Sequence, residues 1–267
     1  FWMFVVHTLT ARDPIFEKSM FADRNFATGL LFMAVTGVLL LAGLALLPPL
    51  LQRLYGYSVL QSGMLTAPRG IGTLVGMLLA GRLIGRVDMR ALVLLGLGLM
   101  TASLWMMTGF ALEQPAGPVI WSGVVQGVGI GLIFVTMQSL AFATLLPRLR
   151  TNAASLLNLS RNIGGSIGIA LVGSQLVRNT QVAHADIASS VTRNYIPAID
   201  PTTLQQMGVQ GDAALAILNA EVTRQALFIA YLDDFKLMMF LTLAAIPLVF
   251  LMRRAQNTGE RPQMVAD

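Results

Sequence analysis

The chain has 267 residues, of which 55% are hydrophobic and only 12% are charged. Soluble domains carry about 25% charged residues, so this composition excludes an ordinary water-facing surface and favours a membrane protein. The net charge of +5 does not indicate a nucleic-acid partner, because the basic residues fall in short runs between apolar stretches. Without cysteine, and with only His7 and His184 as histidines, the sequence offers no thiolate or histidine metal site and no nucleophile with a paired base. We therefore expect no enzyme, metal or organic cofactor.

The chain starts with six apolar residues and no initiator methionine, and this run is too short to cross a membrane before Arg12. A signal peptide would begin with basic residues and end at a cleavage site of small residues, and neither feature is present. We expect residues 1–25 to hold the end of a preceding transmembrane helix and a cytoplasmic linker, within the C-terminal part of a longer protein.

Six mostly apolar stretches follow, each with about the 20 residues that a spanning helix needs. No strand pattern competes with them. The predicted fold class is therefore an all-α membrane protein, with a six-transmembrane-helix bundle over residues 26–252 and a cytoplasmic tail over residues 253–267. The stretches are residues 26–51, 59–79, 91–112, 119–146, 153–177 and 227–252.

Prolines mark breaks in this pattern. Pro48, Pro49 and Pro147 stand where helices are predicted to end, because proline lacks the N–H group that continues a helix. Pro68 and Pro247 lie inside the second and sixth stretches, where we expect kinks.

Lysine and arginine in the short connections predict the orientation of the bundle. Eleven of these residues fall on one side of the six stretches, whereas the opposite short connections hold only Arg53. We expect the basic side, and with it both ends of the six-helix unit, to be cytoplasmic. The basic set is Arg12, Lys18, Arg24, Arg82, Arg86, Arg90, Arg148, Arg150, Arg253, Arg254 and Arg261.

One connection on the outer side, residues 178–226, is long and polar enough to hold structure of its own. Asp200 followed by Pro201 predicts the start of a short surface helix that stops at Gly208. From Asp212 a helical pattern continues without a breaker into the last stretch, so we expect one helix of about 40 residues, or ~60 Å, rising out of the membrane.

Two arginines are candidates for function. Arg69 lies about 10 residues inside the second stretch, roughly 15 Å deep and near the membrane midplane. A charge at this depth costs about 2.5–3.5 kcal/mol, so the side chain is expected to face protein or a water-filled cavity. Arg161 lies about 8 residues inside the fifth stretch, with Asn158 and Asn162 beside it. The two arginines either line a cavity, with proton-linked pairing to a carboxylate on a missing bundle, or they bond helix-end carbonyls or lock bundles together.

Gln126 and Gln138 lie in the fourth stretch, where an amide is costly unless it is hydrogen-bonded, so each either touches substrate or bonds between helices. Glycines four residues apart predict close helix packing. At the outer edge of the last stretch we expect Asp233 and Lys236 to pair near water, with Asp234 beside them. The glycine rows are Gly72–Gly76, Gly123–Gly127–Gly131 and Gly164–Gly168.

Residues 81–90 form a short basic loop. It resembles the Gly-x-x-x-Asp-Arg-x-Gly-x-Arg/Lys motif of the major facilitator superfamily, with Gly81, Arg86 and Arg90 in matching places. Gly85 stands at the motif's Asp and Asp88 at its second Gly. The resemblance implies that Gly81, Arg86, Asp88 and Arg90 belong to a conformational-switch loop, whereas a basic cluster that merely orients the helices remains the alternative.

A broader resemblance rests on residues 50–58 (LLQRLYGYS), the Ser62-Gly63-Met64 and Ala67-Pro68-Arg69-Gly70 runs, residues 160–168 (SRNIGGSIG), residues 221–226 and residues 231–235. Together they resemble the second six-helix bundle of the fourteen-span drug/proton antiporters of the EmrB/QacA type. This implies a bacterial inner-membrane exporter working by alternating access, driven by the proton gradient without a cofactor. Its partners would be hydrophobic or cationic small molecules, protons, membrane lipids, a periplasmic adaptor (membrane fusion) protein and an outer-membrane channel.

Two other functions stay open. One is export of an endogenous lipid, siderophore or peptide. The other is a non-transporting membrane scaffold whose outer segment and long last helix recruit partners.

Overall fold

The computed structural model describes residues 18–143, 145, 147–190 and 212–251. Within these ranges the β-type pairing is a single isolated bridge between Ile84 and Val87, so the predicted all-α class is confirmed. The helices are α1 (Lys18–Ala22), α2 (Arg24–Arg53), α3 (Val59–Thr66), α4 (Pro68–Leu83), α5 (Met89–Thr108), α6 (Ala116–Ala143), a 3-10 turn (Pro147–Leu149), α7 (Arg150–Ser190) and α8 (Asp212–Val249).

Four helical segments are long and apolar enough to cross a membrane: Arg24–Arg53, Val59–Leu83, Met89–Thr108 and Ala116–Ala143. They coincide with the first four predicted spans. The described parts of α7 and α8 do not meet the same limits. Three charges at 233–236 interrupt α8, whereas polar and small residues lower the hydropathy of α7. Membrane crossing by these two helices stays a prediction.

Helix α2 corrects the prediction for Pro48 and Pro49, which lie inside the helix rather than at its end. The helix continues to Arg53, where the backbone N–H of Leu54 still donates to Leu50 O. Each proline removes one helical hydrogen bond, and so Pro48 leaves the carbonyl of Leu44 without its usual donor.

The kink predicted at Pro68 is confirmed as a break between α3 and α4 at Ala67. A capping box starts α3, because Ser58 Oγ accepts from the Gln61 backbone while the Gln61 side chain accepts from the Ser58 backbone. Proline then occupies the first position of α4, where its missing N–H has no helical partner to lose. Pro147 also follows a helix end, as predicted, since α6 stops at Ala143.

The long last helix predicted from Asp212 is confirmed, whereas the outer location of residues 178–226 stays a prediction. Helix α7 runs without a break through the predicted membrane edge to Ser190, and α8 starts at Asp212 and spans 38 residues. The short helix predicted at residues 200–208 lies outside the described residues.

Two helix pairs pack most closely, α2 with α7 and α4 with α6. Glycine makes both approaches possible: a Cβ on Gly76 would collide with the Val128 carbonyl, and one on Gly164 would collide with the Ala34 carbonyl. The predicted role of the glycine rows is confirmed. Helices α5 and α8 contact each other behind these pairs, so α2 and α6 form the middle of a front face that α4 and α7 flank.

The front face carries apolar side chains that no residue of the described chain covers. Ile71 and Leu74 of α4 are 65% and 58% exposed, and Ile163 and Ile167 of α7 are 52% and 58% exposed. Such surfaces require lipid or another protein surface against them.

Alanine at Gly127 should destabilise the bundle, because its Cβ would collide with the carbonyl of Arg69. Overpacking of this kind costs typically about 1–3 kcal/mol. Gly98→Ala is the matched control, since an added Cβ at Gly98 of α5 meets nothing within 4 Å. We expect Gly127→Ala, but not Gly98→Ala, to lower the melting temperature of the detergent-solubilised full-length protein. Equal melting of both variants would contradict this packing.

Candidate functional site

A cavity of about 340 Å³ opens on the front face between α2 and the α3–α4 break. Its size falls within the range of small-molecule sites, and its lining is mainly apolar with few polar groups. We call it the α2–α4 cavity. The lining residues are Gly43, Leu44, Leu47, Pro48, Gly63, Thr66, Ala67, Arg69, Gly70 and Thr73.

Arg69 supplies the positive charge of this cavity. Its side chain is 7% exposed, and its Nη2 atom has no hydrogen-bond partner within the described ranges. Gly43 lies beside the guanidinium, and a Cβ there would be in ordinary van der Waals contact with it, 3.4 Å from Nη1 and 3.5 Å from Nη2. The structure therefore places a buried cation with an unused donor in an apolar cavity, which is an arrangement suited to an anionic partner.

Gln126 presents a second unused donor. It is 1% exposed, and its Nε2 atom has no partner among the described residues. Gln126 lies three residues after Gly123, whose added Cβ would be 3.7 Å from Arg69 Cβ, so these two residues share a face of α6. The predicted bond from this amide to a neighbouring helix is not made by Nε2 within the described chain, and the choice between substrate contact and interhelical bonding stays a prediction.

Arg161 approaches the front face from the opposite side. Its guanidinium carbon lies 5.4 Å from the centre of the Phe134 ring of α6, within the range of a cation–π interaction. Its backbone carbonyl lies against Gly37 of α2, and Ser160 Oγ donates to Leu30 O at 2.7 Å. Arg161 is half-buried and therefore helps to hold α2, α6 and α7 together while leaving part of its charge accessible.

The other predicted site residues are more peripheral. Asn158 and Asn162 are exposed on α7, and Gln138 is half-buried on α6. The structure thus brings Arg69 to the wall of a cavity and places Gln126 on the helix face behind it, whereas the two asparagines lie on the open surface of α7.

The loop between α4 and α5 is a tight turn. Gly85 has a φ of +88°, a conformation that favours glycine, and this explains why glycine stands where the motif has Asp. Asp88 caps α5 by accepting from the Arg90 backbone N–H at 3.0 Å. Gly81, Arg86 and Asp88 are exposed, while Arg90 is half-buried. The geometry gives Asp88 a local structural role in addition to the switch role that the motif implies.

Asp234 corrects a prediction. The pair of Asp233 and Lys236 forms as expected, with Nζ to Oδ1 at 3.0 Å, but Asp234 does not lie near water: it is 0% exposed. Neither carboxylate oxygen has a hydrogen-bond partner within the described chain. Asp234 lies three residues after Tyr231 and four residues before Met238, and this helical spacing places it on the buried stripe of α8. The charged residues beside it in the sequence obscured this signal.

The outer end of the bundle holds a second, more polar cavity of about 460 Å³. Beside it the Tyr55 hydroxyl donates to Ala111 O at 2.8 Å and joins two connections. Burial, with a smaller contribution from Tyr57, raises the pKa of Tyr55 to about 12, so this hydroxyl is protonated at neutral pH and can donate. We call this cavity of about 460 Å³ the outer cavity. Its lining residues are Leu54, Tyr55, Tyr57, Leu112, Glu113, Gln114, Pro115 and Arg224.

Beyond this end, α7 and α8 continue as an antiparallel pair, which we call the outer hairpin (residues 178–190 and 212–226). His184 Nε2 and Asn219 Oδ1 lie 3.0 Å apart and fix the register of the two helices. Burial alone raises the pKa of Glu221, but hydrogen bonds from Gln225 and Arg224 and the Arg224 charge outweigh it and hold that pKa below its usual value. A cavity of about 280 Å³ lies between the helices, lined by Ala188, Leu215, Leu218, Asn219 and Val222.

Comparison with known families defines the class of protein. Residues 6–169 match the Major Facilitator Superfamily, and the chain belongs to this family of membrane transporters, which are not enzymes. Together with the four apolar helices, this membership supports a multi-pass inner-membrane protein.

The chain is also similar to particular curated proteins along almost its whole length. The chain is 29% identical over 258 residues to the fatty acid resistance protein FarB of Neisseria gonorrhoeae, covering 96% of this chain and 51% of FarB. It is 27% identical over 257 residues to the multidrug export protein EmrB of Escherichia coli, covering 96% of this chain and 50% of EmrB. The chain therefore spans about half the length of these curated relatives. The resemblance predicted from the sequence motifs is confirmed.

The fold has a match among solved structures. A bacterial homologue of the human lysosomal transporter Spinster, in an inward-facing and occupied conformation, aligns with a TM-score of 0.60 at 17% identity, over 91% of this chain and 53% of that one. This likeness confirms a transporter-type helical bundle.

Substitution of Asp88 separates its two roles. Asp88→Asn keeps an oxygen that can cap α5 but removes the charge, whereas Asp88→Ala removes both, at a cost of about 1 kcal/mol. If capping is the main role, the full-length protein with Asp88→Asn keeps its wild-type melting temperature and only Asp88→Ala melts lower. We expect this result. Loss of transport by a stable Asp88→Asn variant would show that the charge itself acts in the switch loop.

Proposed function

We propose that this chain forms one six-helix bundle of a proton-coupled efflux transporter of the bacterial inner membrane. A second bundle covers the front face, and substrate binds between the two and is released to the opposite side by alternating access. The observation that carries this proposal is Arg69, a buried cation with an unused donor in an apolar cavity on the uncovered face. A non-transporting scaffold would have no need to keep a charge at this depth.

Hydrophobic small molecules are the substrates that the lining of the α2–α4 cavity suits best. The apolar walls supply non-directional contacts, which tolerate substrates of different shape. In this proposal a carboxylate of the second bundle pairs with Arg69 in one state of the cycle, and a proton releases that pair in the other. Proton and substrate then favour different states, so their exchange follows from differential affinity.

Export of an anionic amphiphile is the second candidate. The same unused Nη2 atom of Arg69 can donate to a carboxylate headgroup, while the apolar lining contacts an alkyl chain. One relative is named for fatty acid resistance, which fits this chemistry. The two candidates differ in whether Arg69 binds substrate directly or binds a carboxylate of the protein.

Both candidates require the two front-face arginines, which a transport assay can test. In everted vesicles containing the full-length protein, we expect Arg69→Ala and Arg161→Ala to lower substrate-induced proton movement by roughly tenfold, within the usual range of coupling between sites. Arg82→Ala on α4 and Arg178→Ala on α7 are matched controls, because both arginines are exposed on the same helices. The proposal fails if the buried and exposed variants behave alike at equal membrane levels.

The choice of substrate separates the two candidates. A cationic hydrophobic dye should move protons and a fatty acid should not if Arg69 pairs with a protein carboxylate. The reverse result would favour an anionic amphiphile. In that case Arg69→Lys, which keeps the charge but not the paired donors, should retain part of the fatty acid transport.

We further propose that the outer hairpin binds a periplasmic adaptor protein, which passes substrate to an outer-membrane channel. Supporting this, Leu215 and Val182 are 63% and 53% exposed on a hairpin that extends past the predicted membrane edge. In the resulting orientation both ends of the six-helix unit are cytoplasmic.

A photocrosslinking residue at Leu215 tests this contact in cells that express the adaptor. We expect crosslinks to the adaptor from Leu215 and none from Trp105, which is equally exposed, at 67%, but lies on the membrane-spanning α5. Deletion of residues 178–226 should abolish adaptor association without preventing membrane insertion. Normal association of the deletion variant would sink the idea.

A further inference from the structure

The buried stripe of α8 contains one ionisable carboxyl group, Asp234. Its neighbours on the stripe, Tyr231, Phe235 and Met238, are each 1% exposed, and Asp234 itself is 0% exposed. Phe235 packs edge to face on Phe110 with ring centres 6.2 Å apart, at the end of α5. Asp234 therefore lies within the packed layer that closes the outer end of the bundle.

Cations on α8 do not neutralise this carboxyl group. Lys236 is paired with Asp233 at the surface, where the two side chains are 51% and 40% exposed. Arg224 is paired with Glu221 more than two turns away. Tyr231, one turn before Asp234, is the remaining titratable neighbour on this helix and is itself buried.

The helices packed against α8 are α7, α5 and α2. The antiparallel register set by His184 and Asn219 places Asp234 level with α7 near Ile169, and residues 162–177 of α7 contain no ionisable side chain. The ionisable residue of α5 is Arg90, at its opposite end. At the outer end α2 contributes Arg53, which is exposed and acts electrostatically on Tyr231.

Among the described residues, the connections near the outer end add the other titratable groups on this side of the bundle. The Tyr55 hydroxyl already donates its hydrogen bond to Ala111 O, and Tyr57 and Glu113 line the outer cavity. A carboxylate buried without a cation or hydrogen-bond donor is unfavourable, and binding a proton removes its charge.

We propose that Asp234 is a proton-binding site, and that the packing of α8 against α5 and α7 at the outer end requires its neutral carboxyl form. When Asp234 loses its proton, the carboxylate needs hydration, and the packed layer of Phe110, Tyr231 and Phe235 loosens. Arg53, which is exposed at the same end, acts electrostatically on Tyr231, one turn from the new charge. The site makes the closure of this end sensitive to outside pH, whatever substrate the transporter carries.

The pH dependence of thermal stability tests this site without any transport assay. The folded state binds a proton that the unfolded chain releases, so stability is full in acid and falls as pH rises. We expect the melting temperature of the full-length protein to fall by roughly 3–5 °C from acidic to mildly alkaline pH. Asp234→Asn, which mimics the neutral carboxyl group, should abolish this fall, and Asp233→Asn should retain it.

Infrared difference spectroscopy supplies an independent readout. A carboxylic acid C=O band that disappears at alkaline pH should be present in wild type and in Asp233→Asn, and missing from Asp234→Asn. A wild-type pH dependence of melting in Asp234→Asn, or a carboxylic acid band that survives this substitution unchanged, would overturn the proposal.

Hydrogen–deuterium exchange of the wild-type protein decides the question if Asp234→Asn fails to accumulate in the membrane. Peptides that cover residues 227–240 should lose protection at high pH, beyond the intrinsic acceleration of exchange, while peptides of α6 keep theirs. Equal protection of both regions across the pH range would contradict the site. These tests of Asp234 are independent of the transport assay, because none of their measurements uses substrate.

Discussion

The close approach of paired helices, α4 on α6 and α2 on α7, is the constraint on which the rest of the bundle depends. Glycine is needed at the contact points, because at Gly76 and Gly164 even a methyl group would collide with the backbone of the partner helix. Without an appreciable hydrophobic force between helices in lipid, such close contact supplies van der Waals energy that holds the bundle together. Gly127, at the α4–α6 contact, lies against the backbone of Arg69, so the packing of these two helices also positions the arginine of the site.

The two arginines show how one chain places charge at the front face in two ways. Arg69 is buried against Gly43 and keeps a donor unused, whereas Arg161 rests on the Phe134 ring and is half-exposed. A cation over an aromatic face is partly stabilised by the ring itself, whereas the unused donor of Arg69 is left for a partner that enters the cavity. In the proposed transport cycle, Arg69 is accordingly the residue of the pair whose energy depends more on what binds.

Much of this arrangement could be predicted from the sequence. Helix periodicity, breaks at proline and the glycine rows each have a local physical cause, so the α3–α4 break at Pro68 and the 38-residue α8 follow the prediction closely. The prediction for Pro48 and Pro49 was wrong because proline near the end of a helix removes few bonds, and packing kept α2 helical to Arg53. The burial of Asp234 differs from the prediction because burial depends on tertiary packing: Asp234 lies among charged residues in the sequence and yet faces the core.

The unsatisfied polar groups of the bundle separate into two places with different consequences. At the front face the unused donor of Arg69 lies at a cavity that is open to another protein or to substrate, so its hydrogen bond can be completed from outside the chain. At the outer end the Asp234 oxygens are enclosed by the chain itself, and no second bundle can reach them without moving α8. An unused donor that a ligand can reach influences which ligand binds, whereas an enclosed carboxyl group is more stable in its neutral form. The two proposals thus give the bundle one polar site that depends on partners and one that depends on protonation. Arg69 lies on α4 and Asp234 on α8, and these helices are joined through α6 and α5, so any coupling between the two sites has to pass through these packed helices.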